Sequence, residues 1–173
     1  ILFNPISGND ADEFIELKNR TPAPVNVGGW RLRGGVIHTI AAGRVIPPGG
    51  YLVIAADATN LLAKYPSLTS ANTIGNFDGR LSNSGEDVRL EAAEVSRVTN
   101  GPVVVTNTIH HTVSEVAYGT GGRWGRWADG GGSSLELIDA DADTRLAANW
   151  ADSDEGSRSG WKTIEFTGVL DNG

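Results

Sequence analysis

The sequence predicts an all-β sandwich with one short helix. Hydrophobic residues mostly alternate with polar ones over short runs, glycine and proline turn signals separate these runs, and only one segment shows helical spacing. Glycine accounts for 23 of the 173 residues, which favours many tight turns over long helices. About eight or nine short strands with a single helix are typical of a sandwich and not of a βαβ protein.

The predicted strands follow one another along the chain. In each of them alternate residues share a face, as Ile15 and Leu17 do in the first. The predicted strands are Glu13–Lys18, Tyr51–Ala55, Val88–Leu90, Val95–Thr99, Pro102–Thr106, Ser114–Tyr118 and Ser134–Ile138. Asn100-Gly101 lies between two of these runs, which predicts a two-residue hairpin loop with a type I′ turn.

One segment has helical spacing. Asp57 is placed to cap a helix that continues through Lys64, with Leu61, Leu62 and Tyr65 on one side, and Pro66 follows it. Two stretches rich in polar and small residues, 119–132 and 140–160, are predicted to be long loops.

The C-terminal stretch differs from the preceding loop in its sequence pattern. Trp161–Phe166 has the pattern of an isolated strand with little sequence left to pair with. We therefore expect one sandwich domain over residues 1–156. Residues 157–173 are then a C-terminal extension, either an added edge strand or the first strand of a following module.

Charge and composition exclude several classes of protein. There are 14 Lys and Arg against 21 Asp and Glu, a formal charge of −7, so we expect neither nucleic acid nor an anionic membrane surface as a partner. Without cysteine, no disulfide, thiolate metal site or cysteine nucleophile is possible. No stretch approaches the ~20 apolar residues of a membrane span. The chain opens at Ile1 without Met, as expected of a fragment of a larger protein.

Six of these segments resemble, in order, the lamin tail domain family, and its bacterial members in particular. The match covers about residues 1–153, interrupted by a long stretch at 92–112 where a shorter connection is expected. The segments are Phe3–Pro5 with Asp12–Asn19, Val25–Leu32, Ile46–Ala55, Leu81–Leu90, Trp127–Leu137 and Asn149-Trp150.

The resemblance implies an immunoglobulin-like sandwich that acts as an accessory domain. In bacteria such domains accompany secreted or surface-associated hydrolytic and adhesive domains, so an extracytoplasmic location is expected. The family has no known catalytic residues to transfer. We expect an isolated domain to be monomeric.

A first candidate site is the glycine-rich loop 119–132. It carries Trp124, Arg126, Trp127 and Asp129, and aromatic rings beside charged groups can stack on a sugar ring or anchor a protein partner. The alternative is that the loop has no ligand and that Trp127 packs into the edge of the sandwich, which the family resemblance favours.

A second candidate site is the alternating carboxylate run Asp139, Asp141 and Asp143. Carboxylate oxygens are the ligands that Ca²⁺ prefers, but the glycine and the distant glutamate of an EF-hand loop are missing. The alternative is that these residues hydrogen-bond nearby backbone amides in a loop. His110 and His111 are neighbours on a predicted strand and point to opposite faces, so they do not chelate one metal easily.

No arrangement of residues indicates an enzyme. Ser133-Ser134 lacks a nucleophile elbow, and the pairs Glu13/Glu16 and Glu86/Asp87 lie on single strands, which do not provide the opposed carboxylates of a glycosidase. We therefore expect a non-catalytic interaction or adhesion module that presents loops to a protein or glycan partner. The alternatives are a calcium-assisted carbohydrate-binding module and a passive spacer.

Overall fold

The computed structural model describes residues 1–101 and 103–154. In this part of the chain, the strands are β1 (Phe14–Lys18), β2 (Val25–Asn26), β3 (Arg31–Gly34), β4 (Val36–Thr39), β5 (Val45–Ile46), β6 (Tyr51–Ala55), β7 (Thr73–Gly75), β8 (Asp78–Gly79), β9 (Glu86–Asn100), β10 (Val103–Tyr118), β11 (Leu135–Leu137) and β12 (Trp150–Asp152). The helix α1 spans Ala58–Lys64, and Asp10–Asp12 and Ala147–Asn149 form single 3-10 turns. No helix among the described residues is long and apolar enough to cross a membrane.

One layer of the sandwich is built around β1. This strand pairs antiparallel with β6, which pairs parallel with β7. Leu2 and Phe14 exchange backbone hydrogen bonds of 2.9 and 3.2 Å, and the Leu135 amide donates to the Ile1 carbonyl at 2.8 Å. Because residues 1–4 bond to β1 on one side and to β11 on the other, they join the β11–β12 pair to the same layer.

The second layer is a five-stranded antiparallel sheet in the order β10-β9-β3-β4-β8. Its inward side chains and those of the first layer form one core cluster. The rings of Phe3 and Tyr118, one from each layer, lie 4.7 Å apart between centroids. Other core members are Ile15, Leu52, Ile54 and Leu135 from the first layer and Leu32, Val36, Val88 and Val116 from the second. The predicted all-β, immunoglobulin-like sandwich is confirmed.

The predicted helix is also confirmed and covers the outer face of β6. The Asp57 carboxylate accepts a 3.0 Å hydrogen bond from the Asn60 amide, which caps the helix. Leu61 is fully buried and packs with Val53 and Ala55, the β6 residues that face away from the main core. The central strand β6 is therefore buried on both faces, which explains its nearly continuous apolar sequence.

A buried carboxylate ties the helix to the start of β1. Asp12 accepts hydrogen bonds from Ser7, Asn60 and Lys64. Burial raises the pKa of this carboxyl, but the three donors outweigh that effect and hold the pKa below its usual value.

The strand predictions are right in position and wrong in length for β9 and β10. We expected four short strands between residues 88 and 118, but the chain forms two strands of 15 and 16 residues. Hydrophobic alternation fades after Leu90, whereas backbone hydrogen bonding does not depend on it, so the ladder between β9 and β10 continues.

The hairpin turn and one loop also differ from the prediction. Asn100 pairs with Val103 in the ladder, so Asn100 is a strand residue and the expected Asn100-Gly101 turn is wrong; Gly101, which follows it, has φ +60°. The predicted loop 140–160 contains β12, which is too short to show a period in sequence. Trp161–Phe166 and the proposed boundary at 156/157 lie outside the described residues.

Close packing between β3 and β9 requires Gly34. It has φ +117°, and a Cβ built there would lie 1.9 Å from the Asp87 carbonyl oxygen. We expect Gly34→Ala to lower the free energy of unfolding by about 3 kcal/mol or more, since the clash adds to backbone strain. Gly43→Ala is the control, because Gly43 also has positive φ (+81°) but open space around it. Gly43→Ala should lower the free energy of unfolding by only about 1–2 kcal/mol. Urea denaturation measures the unfolding free energy of both variants. An equal decrease in the two would contradict the conclusion that close packing between β3 and β9 requires Gly34.

Candidate functional site

The most prominent surface feature is a two-stranded arm formed by residues 92–112. β3 pairs with β9 between Val88 and Glu91, and beyond that point β10 is the one strand among residues 1–101 and 103–154 that pairs with β9. At its base the arm is anchored by an ion pair of 2.5 Å between Arg31 and Glu91. Most arm residues are exposed, so the arm projects from the sandwich.

The arm carries apolar side chains on the face that continues the core-facing side of the sheet. Ala92 is the last buried residue of that face. Because Val98 pairs with Val105 and Ile109 pairs with Glu94, the side chains of Val98, Val105 and Ile109 share this face. Their exposed fractions are 56%, 47% and 60%, and Val103 on the same face is 57% exposed. We call these four residues the arm's apolar face.

The arm is electrically neutral in an acidic protein. Of the residues 92–112 only Glu94 and Arg97 are charged, besides the histidines, whereas the chain carries a net −7. A neutral, apolar and projecting surface is what separates a protein contact site from an ordinary solvated face. Sequence reasoning missed this site. The available signal was the uncharged, β-branched run Val103–Thr112.

The glycine-rich loop 119–132 places its two tryptophans in different surroundings. Trp127 is 64% exposed, which corrects the expectation that it packs into the edge of the sandwich. Its neighbour Ala128 is the buried residue, and the Ala128 amide donates to the Asp152 carboxylate at 2.7 Å. With Ala128 turned inward, the Trp127 side chain points outward.

The other residues of this loop have separate surroundings. Trp124 is half-buried, packs against the core and lies 6.5 Å from the ring of Trp150. Asp129 accepts a 2.7 Å hydrogen bond from Asn4, and Arg126 is exposed. Of the four predicted ligand-binding residues, Arg126 and Trp127 are therefore the two that present large exposed side chains beside each other in the chain.

The three aspartates of the second candidate site each have a different partner. Asp139 accepts from the Asp141 amide at 2.9 Å, and Asp141 lies 3.7 Å from Arg20. Asp143 accepts two hydrogen bonds of 2.9 and 2.8 Å from the Arg145 guanidinium, which holds the pKa of Asp143 at about 2. The loop forms part of the rim of an open cleft of about 950 Å³ between the sheets.

These contacts do not bring the three carboxylates together. Within residues 1–101 and 103–154, no group of three or more His, Asp or Glu side chains is arranged to hold a metal ion. His110 and His111 pair with Ala93 and Ala92, on opposite faces of the arm. Calcium binding by the aspartate loop stays a prediction.

A group of titratable side chains, Glu13, Glu86 and Tyr118, lies at the core, where Glu13 and Tyr118 are buried and Glu86 is half-buried. Glu13 is fully buried, and its Oε2 accepts a 2.8 Å hydrogen bond from the Leu81 amide, while Oε1 has no hydrogen-bond partner among the described residues. Burial raises the pKa of the Glu13 carboxyl to about 7. Nearby, Glu86 accepts from the Tyr118 hydroxyl at 3.1 Å. A buried carboxyl without access to substrate supports the core and does not form half of a glycosidase pair.

The raised pKa of Glu13 makes stability depend on pH. The folded state holds the proton up to about pH 7, whereas the unfolded chain loses it near 4.5. Stability is therefore full below pH 4.5 and falls as pH rises through 7. We expect Glu13→Gln to reduce the drop in unfolding free energy between pH 5 and pH 8 by up to about 3 kcal/mol. Urea denaturation at both pH values measures the effect. Glu94→Gln, in the exposed arm, is the control, and identical pH profiles for wild type and Glu13→Gln would contradict the assignment.

Comparison with known proteins gives a family. No curated protein and no solved structure matches the chain significantly. The sequence model of the Lamin Tail Domain family matches residues 2–151, which include both layers of the sandwich and the arm. The family is immunoglobulin-like and non-catalytic. The resemblance noted from six sequence segments is confirmed, and the chain belongs to the Lamin Tail Domain family.

Proposed function

We propose that this domain is a non-catalytic accessory interaction module of a larger exported bacterial protein, and that its arm contacts a protein partner. The observation that carries the proposal is the apolar face of the arm, four aliphatic side chains that project from an acidic sandwich and are about half exposed or more. The proposal needs no bound cofactor.

The energetics of the arm support a binding role over a spacer role. Each aliphatic side chain moved from water into an interface contributes about 1.5 kcal/mol or more when fully buried. A spacer needs no such surface, and an exposed apolar strand is an aggregation liability that a solvated loop would avoid. The rigid sandwich beneath the arm, anchored through Arg31 and Glu91, provides a fixed base for such a contact.

The exported location is part of the proposal and rests on the family. The resemblance to bacterial members of the family implies a place beside secreted or surface-associated domains, and the acidic, cysteine-free composition is compatible with that setting. Of the two predicted contact loops, 139–148 lies at the base of the arm, where the Thr144 hydroxyl donates to the Glu115 carbonyl at 2.7 Å, and it is available for the same partner. The loop 119–132 follows the opposite end of β10.

Binding through the arm predicts that affinity for the partner falls when residues of the arm's apolar face are changed. We expect the triple variant Val98→Ser, Val105→Ser, Ile109→Ser to bind the exported proteins of the source cells about 100-fold more weakly than wild type, because apolar burial is lost. Biolayer interferometry with the immobilised chain measures this.

The matched control carries the same changes outside the arm. Ile6, Ile37 and Val45 are 75%, 48% and 47% exposed and lie outside both the arm and the loop 139–148, so their triple serine variant should bind like wild type. A spacer predicts equal binding for all three proteins, and that result would refute the arm as a contact site.

Glycan binding is the second candidate, and the exposure of Trp127 favours it. An exposed indole beside Arg126 can stack on a sugar ring while the guanidinium hydrogen-bonds its hydroxyls. Gly131 lies under the indole, where a Cβ would come within 2.7 Å of Cε3, so the ring rests on the loop. This support leaves the ring partly pre-organised for stacking.

A glycan site at Trp127 predicts that polysaccharide binding changes tryptophan fluorescence and that Trp127→Ala abolishes this change. Titration with soluble polysaccharides should quench tryptophan emission in wild type and not in Trp127→Ala, with affinity reduced about tenfold or more. Tyr51→Ala is the control, because Tyr51 is also exposed (46%) but lies on β6. The titration repeated with calcium and with chelator tests whether the aspartate loop assists. No quenching with any polysaccharide would remove this candidate.

A further inference from the structure

The outer edge of β10 is not paired along the arm by any strand in the described part of the chain. Among the described residues, β9 is the only strand that pairs with Val103–Thr112. In a hairpin with a two-residue loop the pair next to the loop, here Asn100 and Val103, exchanges two hydrogen bonds, and such pairs then alternate. The N–H and C=O groups of Val104, Thr106 and Thr108 therefore point away from β9.

This edge lacks the usual protection against strand pairing. Natural edge strands carry charges, prolines or bulges along their length. Val103–Thr112 contains no Lys, Arg, Asp, Glu or Pro, and seven of its ten residues are β-branched. The irregularity in β10, between Thr112 and Ser114, lies at the base of the arm. The opposite edge, formed by β9, carries both Glu94 and Arg97.

We propose that β10 pairs with β10 of a second copy of this chain, antiparallel and about a two-fold axis at Asn107. The two arms then form one four-stranded sheet, β9-β10-β10-β9. This inference rests on the proposed function of the arm and names its partner. It replaces the expectation that an isolated domain is monomeric.

Charge favours a second copy at this edge. Two chains of net −7 repel each other over most of their surface, so contact requires a region without like charges. The uncharged edge Val103–Thr112 meets that requirement, whereas pairing through the β9 edge would bring Glu94 and Arg97 into the contact. An antiparallel edge is also self-complementary, because one strand repeated about a two-fold axis presents matching donors and acceptors.

The register follows from the side chains. With the axis at Asn107, Val105 lies opposite Ile109 of the second copy, and Thr106 lies opposite Thr108. In this register Thr106 and Thr108, whose backbone N–H and C=O groups point outward, lie opposite each other. They can therefore exchange the hydrogen bonds that an antiparallel ladder requires. Val98 and Val105 of one copy and Ile109 of the other form a continuous apolar row across the three strands.

Cysteine substitution tests the register directly, since the chain has no cysteine of its own. Asn107 would face its own symmetry mate in a non-hydrogen-bonded pair, with Cα atoms about 4.5 Å apart, which suits a disulfide. We expect full-length Asn107→Cys to form disulfide-linked dimers under mild oxidation. Ser96→Cys is the matched control, because Ser96 pairs with Asn107 in the same arm and is also exposed. Its symmetry mate would lie about 14 Å away, three strand spacings, and it should stay unlinked.

Analytical ultracentrifugation of the unmodified chain supplies the second measurement. Between about 1 and 500 µM we expect a monomer–dimer equilibrium, which Thr106→Pro shifts to monomer because it removes an outward N–H. A chain that stays monomeric, or equal cross-linking of Ser96→Cys, would overturn self-pairing. So would dimerisation that begins only when residues 157–173 are removed, since the chain's own C-terminal segment would then occupy the edge. The triple variant Val98→Ser, Val105→Ser, Ile109→Ser distinguishes failure of self-pairing from failure of the proposed function. If this variant loses binding to the exported proteins although the chain does not self-pair, the arm still contacts a protein partner.

Discussion

The long hydrogen-bonded ladder between β9 and β10 is the feature on which the rest of the structure depends. Its lower part is the edge of the second sheet, where Val88 and Val116 enter the core. Its upper part is the arm, which has no other strand beside it among the described residues. One pair of strands therefore builds part of the core and carries the proposed contact surface away from it, so the packing of the sandwich sets the position of the arm.

The first layer depends on residues 1–4, because their backbone hydrogen bonds connect its parts. They lie between β1 and β11, and without them the β11–β12 pair would have no backbone connection to the layer. This arrangement places the loops 119–132 and 139–148 on the sandwich, since each ends or begins at β11. The loops gain fixed positions from short strands that have little stability by themselves.

The distribution of charge separates the interior, the surface and the arm. Inside, Glu13 is fully buried and its pKa is raised to about 7, while Asp12 has three donors and a lowered pKa. Outside, acidic residues dominate, and the arm is neutral and apolar. Groups with altered pKa values serve the fold here, and the surface suited to contact is the one without charge. That pattern fits the interaction module that we propose.

The sequence by itself determined the sandwich, the helix over residues 58–64 and the family, because alternation, a capping aspartate and ordered motifs are local signals. It also separated His110 from His111, since neighbours on a strand face opposite ways. Only the tertiary structure decided that Trp127 is exposed, because the inward turn of Ala128 depends on Asp152, 24 residues away. Only the tertiary structure showed the arm, because a strand pattern does not reveal where its neighbour β3 ends. Long-range contacts decide which apolar residues are covered, and local pattern cannot specify them.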